Sequence, residues 1–128
     1  MHVGLGIDYD EDSKPVEIRG VLKAKGDLMG YLGNTDDKVG DTCAIAVGNI
    51  DIVIANKGDS FITVNHFKSA GLELSDYDVI IVKQGYLFPE LSERSKLDIL
   101  ALTPGATYQL IEKLNFHHVK RPVYPLDI

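Results

Sequence analysis

The chain has 128 residues, 45% hydrophobic and 25% charged, with a formal net charge of -6 and a pI near 5.0, a size and balance that fit one globular domain able to bury its own core without disulfides or a structural metal. The acidic balance and scattered lysines exclude a nucleic-acid binder, which needs a concentrated basic surface. No apolar run approaches the roughly 20 residues of a membrane span, and the N-terminus is acidic within a few residues, unlike a secretory leader, so a cytoplasmic location is expected.

In chain order, His2-Val3-Gly4-Leu5-Gly6 reads as the middle of a strand, which suggests a native polypeptide that starts further upstream. Asp8, Asp10, Glu11 and Asp12 form a charge run that is most simply a solvated loop, and their spacing does not match the calcium loop of an EF-hand. Between Pro15 and Lys25, Val16, Ile18, Leu22 and Ala24 alternate with Glu17, Arg19, Lys23 and Lys25, the period of a half-buried strand. Gly26, Gly30, Gly33 and Gly40, with Asn34-Thr35-Asp36-Asp37, predict a long loop from Gly26 to Asp41.

Thr42 to Val47 and Ile50 to Asn56, separated by Gly48-Asn49, predict a tight two-residue β-hairpin. Its register places Cys43, Ile45 and Val47 on one face with Ile50, Ile52 and Ile54, and turns Asp51 to the wetter side. Cys43, the single cysteine, can form no internal bridge and reads as a small core residue. Asn65 to Ala70 predicts a short helix ended by Gly71. Val79 to Val82 and Ile99 to Leu102 are continuous apolar runs, as in strands buried on both faces, and Pro89 opens a short crossover helix between them. A last helix is predicted from about Ala106 to Leu114, and the two prolines after Arg121 keep the tail extended. The expected class is α+β: an antiparallel β-hairpin region followed by a small βαβ portion.

Catalytic chemistry is poorly supported. His2, His66, His117 and His118 lack metal-ligand spacing, and no second cysteine is present. No nucleophile elbow marks Ser60, Ser69, Ser92 or Ser95. One constellation remains. If the two apolar runs are adjacent parallel strands, Lys83, Gln84 and Gly85 emerge beside Thr103, Gly105 and Thr107 at the carboxyl edge, where open α/β sheets bind ligands. Lys83 supplies a cation, the glycines allow close backbone approach, and a helix start adds its positive end, so the edge favours a carboxylate or phosphate. The plainer alternative is that the glycines shape turns, Thr103 caps a helix and Lys83 reaches solvent.

Val82-Lys83-Gln84-Gly85-Tyr86-Leu87-Phe88, Leu102-Thr103-Pro104-Gly105-Ala106-Thr107 and the closing Lys120-Arg121-Pro122-Val123-Tyr124-Pro125-Leu126-Asp127 together resemble the C-terminal domain of the MlrC-like (microcystinase C) proteins. Pro15-Val16-Glu17-Ile18 and the hairpin fit the same pattern. The resemblance implies a single domain over residues 1–128 that packs, as an accessory part, on its own N-terminal catalytic domain. That family resembles zinc-dependent peptidases and is named for an enzyme that helps degrade the cyanobacterial toxin microcystin. Its metal ligands belong to the larger N-terminal domain, so zinc is expected there, with no cofactor and no catalytic residue in this chain. Many relatives carry Lys-Ser-x-x-His-Phe where this chain has Lys83 to Phe88, with Gln84 and Leu87 at the Ser and His positions, so no role carries over to those two. A free-standing module for a small anion or peptide, and a purely structural or oligomerisation domain, are the alternatives.

Overall fold

A computed structural model of the chain describes residues 2–3, 15–30, 37–102 and 109–127. These fall into two compact units, Met1–Asp98 and Ile99–Ile128. The larger unit is built on a three-stranded antiparallel sheet in the order β3-β4-β5, from Val21–Met29, Lys38–Val47 and Ile50–Ala55. A separate two-stranded ribbon pairs β1 (His2–Val3) with β2 (Val16–Glu17). Helices α1 (Val64–Ser69) and α2 (Pro89–Ser92) and a 3₁₀ turn at Leu74–Asp76 follow the sheet. The result is a small mixed α+β domain.

The hairpin forms as its sequence dictates. Val47 pairs with Ile50, Ile45 with Ile52 and Cys43 with Ile54, and Gly48 takes the left-handed φ of 60° that such a turn requires. Strand β3 departs from expectation at both ends. Val16–Glu17 is a strand apart from β3, and β3 runs on through Lys25-Gly26-Asp27 to Met29, where a loop was predicted. Gly26 is in the strand because α1 crosses it: an added Cβ would lie 2.7 Å from Ala70 Cα and closer still to the Ser69 carbonyl. A glycine inside a strand thus marks a close backbone approach rather than a loop. The register also slips between Leu22 and Ala24. This bulge turns Leu22 towards the face of Ile45 and Ala24 towards that of Ala44.

The core lies on the face with small side chains. Ala24, Gly26, Thr42 and Ala44 share it through their pairings, and α1 packs against β3. Leu28, Ala44, Ile62, Phe67, Ala70 and Leu72 are buried around it. Helix α1 starts at Thr63, whose hydroxyl accepts from the His66 N–H at 3.3 Å, and stops where Gly71 adopts φ 81°. On the isoleucine face Ile45 is buried, Ile52 and Ile54 are half-buried and Ile50 is exposed, and Cys43 sits there half-buried rather than in the core.

The βαβ portion is not formed. Val79–Val82 and Ile99–Leu102 are not strands, and Ile81 is 92% and Ile99 81% exposed. A parallel strand pair needs helices over both faces. The four residues of α2 span only about 6 Å, too short to cover a strand. Pro89 does take the first helical turn of α2, and Leu91 is buried. In the smaller unit, the helix expected over Ala106–Leu114 is, among the described residues, a 3₁₀ turn at Ile111–Lys113. Leu110, at ψ 80°, is outside the helical range, and Ile111 is about half exposed, so no packed face holds a longer helix. Residues 106–108 lie outside the described residues. The tail is a closed turn, in which Asp127 pairs with Arg121 and accepts from the Val123 N–H at 2.6 Å.

Candidate functional site

Of the six residues expected at the ligand edge, Lys83, Gln84 and Gly85 are described, whereas Thr103, Gly105 and Thr107 lie outside the described residues. Lys83 is exposed and pairs with no described carboxylate. Gln84 is turned inward, where its side-chain amide donates to the Phe61 carbonyl. Two residues on, Tyr86 stacks on Phe88 with ring centroids 5.0 Å apart. Phe61 in turn meets Phe67 edge-on at 5.2 Å. Glu90, in the first turn of α2, accepts from the Val64 N–H at 3.1 Å, one of the donors that a helix start leaves unpaired. The segment from Lys83 to Glu90 is therefore tied at two points to the start of α1, with the Lys83 ammonium in solvent.

Sequence reasoning missed two other clusters. Lys23, the residue freed from the ladder by the β3 bulge, is salt-bridged to Asp51 of β5 and hydrogen-bonds the Tyr77 hydroxyl at 3.0 Å. Tyr77 donates to the same carboxylate at 2.6 Å. Asp51 thus lies on the helix side of the sheet, not on a wet face as expected. The Lys23 ammonium and the Tyr77 hydroxyl hold the Asp51 carboxyl below its usual range. Asp51 and Tyr77 raise Lys23 above its ordinary value, and burial, then Asp51, raises Tyr77. Lys23 and Tyr77 both bind Asp51 Oδ2 and each other, the arrangement of a clasp across the sheet. Asp51, a lone charge in an apolar strand, was the one signal available in the sequence.

His66 is the second. It is 2% exposed, and its Nδ1 accepts from the Ile62 N–H at 2.9 Å. The neutral ring therefore carries its proton on Nε2, an atom that is buried without a partner, as is Thr42 Oγ1. With one nitrogen accepting and the other protonated, His66 is not set up to ligate a metal. Among the described residues no three of His, Cys, Asp and Glu converge to hold a metal ion.

The family model for the MlrC C-terminus matches residues 1–118. The chain belongs to the MlrC C-terminus family. The match spans the sheet, both helices and the Lys83 segment, and ends before the Arg121–Asp127 turn. A family defined by the C-terminus of MlrC proteins implies a part that sits with another domain of the same protein. No curated protein and no solved structure matches the chain.

Proposed function

We propose that this chain is the accessory domain of an MlrC-like zinc-dependent peptidase or amidohydrolase, working in the cytoplasm. It packs on a catalytic domain that holds the zinc, and its Lys83-Gln84-Gly85 loop lines the rim of the substrate cleft. The family match over residues 1–118 carries the reading. The exposed aliphatic side chains of Val79, Ile80 and Ile81, and of Ile99 and Leu100, support it, since apolar runs of this kind mark surfaces that another domain covers. The anchored loop supports the cleft role: Gln84 and Glu90 fix the backbone while Lys83 is left to meet a substrate carboxylate.

Two measurements test this. Equilibrium dialysis of the chain against zinc, read by metal analysis, should give well under one ion per chain, and tight one-to-one zinc would contradict the reading. In a protein that joins this domain to its catalytic partner, Lys83→Ala should raise KM for a carboxylate-bearing peptide while leaving kcat unchanged. An unchanged KM would remove Lys83 from the cleft.

A further inference from the structure

We propose that the outer edge of β5 pairs antiparallel with β5 of a second copy, with Val53 on the two-fold axis, so that two three-stranded sheets join into one of six strands. The ladder fixes which groups are available. The two-residue turn closes at Val47 and Ile50, and the Asn56 N–H donates to the Asp41 carbonyl at 3.1 Å. Residues 50, 52, 54 and 56 therefore turn their backbone groups towards β4. Asp51, Val53 and Ala55 turn theirs outward, and no described residue's backbone bonds to them. The two edges of the sheet are not alike. Strand β3 carries Lys23, Lys25 and Asp27 and two register irregularities, the features that blunt an edge. Strand β5 reads Ile-Asp-Ile-Val-Ile-Ala, with no lysine, proline, glycine or bulge.

A second copy fits this edge because the edge is complementary to itself. With Val53 opposite the partner's Val53, Asp51 falls opposite the partner's Ala55, so no like charges face each other, and the Asp51 charge is already matched by Lys23. All the outward donors and acceptors of Asp51, Val53 and Ala55 then find partners, in about six backbone hydrogen bonds. Ile52 comes opposite the partner's Ile54, which continues the half-buried isoleucine face from one sheet into the other.

Sedimentation equilibrium over a concentration series tests the pairing. The chain should dimerise, and Val53→Pro should weaken the dimer at least tenfold with an unchanged circular-dichroism spectrum, because proline removes only an outward N–H. A chain that is monomeric up to its solubility limit overturns the proposal. So does a dimer that survives Val53→Pro with the spectrum intact. Should Val53→Pro disturb the spectrum, Val53→Cys in a Cys43→Ala background decides. Its two thiols would sit on Cα atoms about 5.5 Å apart and should cross-link under mild oxidation, and failure to cross-link overturns the register.

Discussion

The contact between Gly26 and the end of α1 gives the sharpest test of the packing. In Gly26→Ala the new methyl lies 2.7 Å from Ala70 Cα, where ordinary contact begins near 3.4 Å, and the opposing atoms are backbone that has no rotamer to escape into. The helix end must move out by about 0.7 Å, and a gap of that size forfeits roughly a quarter to a half of each dispersion contact. Phe67 and Leu72, each 7% exposed, ride on this segment. Burial of such side chains contributes about 1.5–3 kcal/mol each, so the shift costs about 2 kcal/mol. Alanine's better strand propensity returns about 0.5 kcal/mol. The net loss of about 1.5 kcal/mol is a floor, because the Ser69 carbonyl lies closer still. Urea unfolding should show the midpoint falling with an unchanged slope. Gly58→Ala, where an added Cβ meets nothing within 4 Å, is the control and should be neutral or slightly stabilising. A Gly26→Ala chain as stable as its parent would refute the close approach of helix and strand.

Two further outcomes are expected. His66→Ala strips the acceptor from the buried Ile62 N–H and opens a cavity, so unfolding should become easier by about 3 kcal/mol; in the parent, imidazole nitrogen NMR shifts should report the Nε2–H tautomer, and an Nδ1–H signal would refute the assignment. The Asp51 carboxyl is held below its ordinary 3.8, so its contribution is present above about pH 4 and is lost as pH falls through the lowered value. Lys23 and Tyr77 are raised, so theirs is lost as pH climbs above about 10. The melting temperature should therefore plateau between these limits, and Asp51→Asn should flatten the acid limb; equal acid limbs for parent and variant would show that the clasp adds nothing.

The hairpin and α1 were legible because their signals are local. A two-residue Gly48-Asn49 turn fixes its own register, and Gly71 ends a helix by its own backbone freedom. What failed was non-local. Alternation along Leu22 and Ala24 could not reveal a bulge at Lys23, since the irregularity depends on the partner strand. Gly26 reads as a loop residue until the helix that crosses it is known. The runs Val79–Val82 and Ile99–Leu102 state that burial is favourable without stating what does the burying. At the candidate site, the sequence picked out Lys83 by its charge but gave no hint that Gln84 serves as an anchor. His66 carries no local mark at all, because its role rests on a backbone amide four residues earlier.

The double tie between the start of α1 and the segment at Gln84 and Glu90 sets the smallest piece of this domain that can stand alone. A fragment cut after Leu72 would keep the whole sheet and the helix that covers it. It would nonetheless bare the Val64 N–H and the Phe61 carbonyl at once, at the helix end that leads into the buried Phe67. Residues 73–90 therefore belong to the same folding unit as the strands, and any boundary drawn for swapping this domain between relatives belongs after α2.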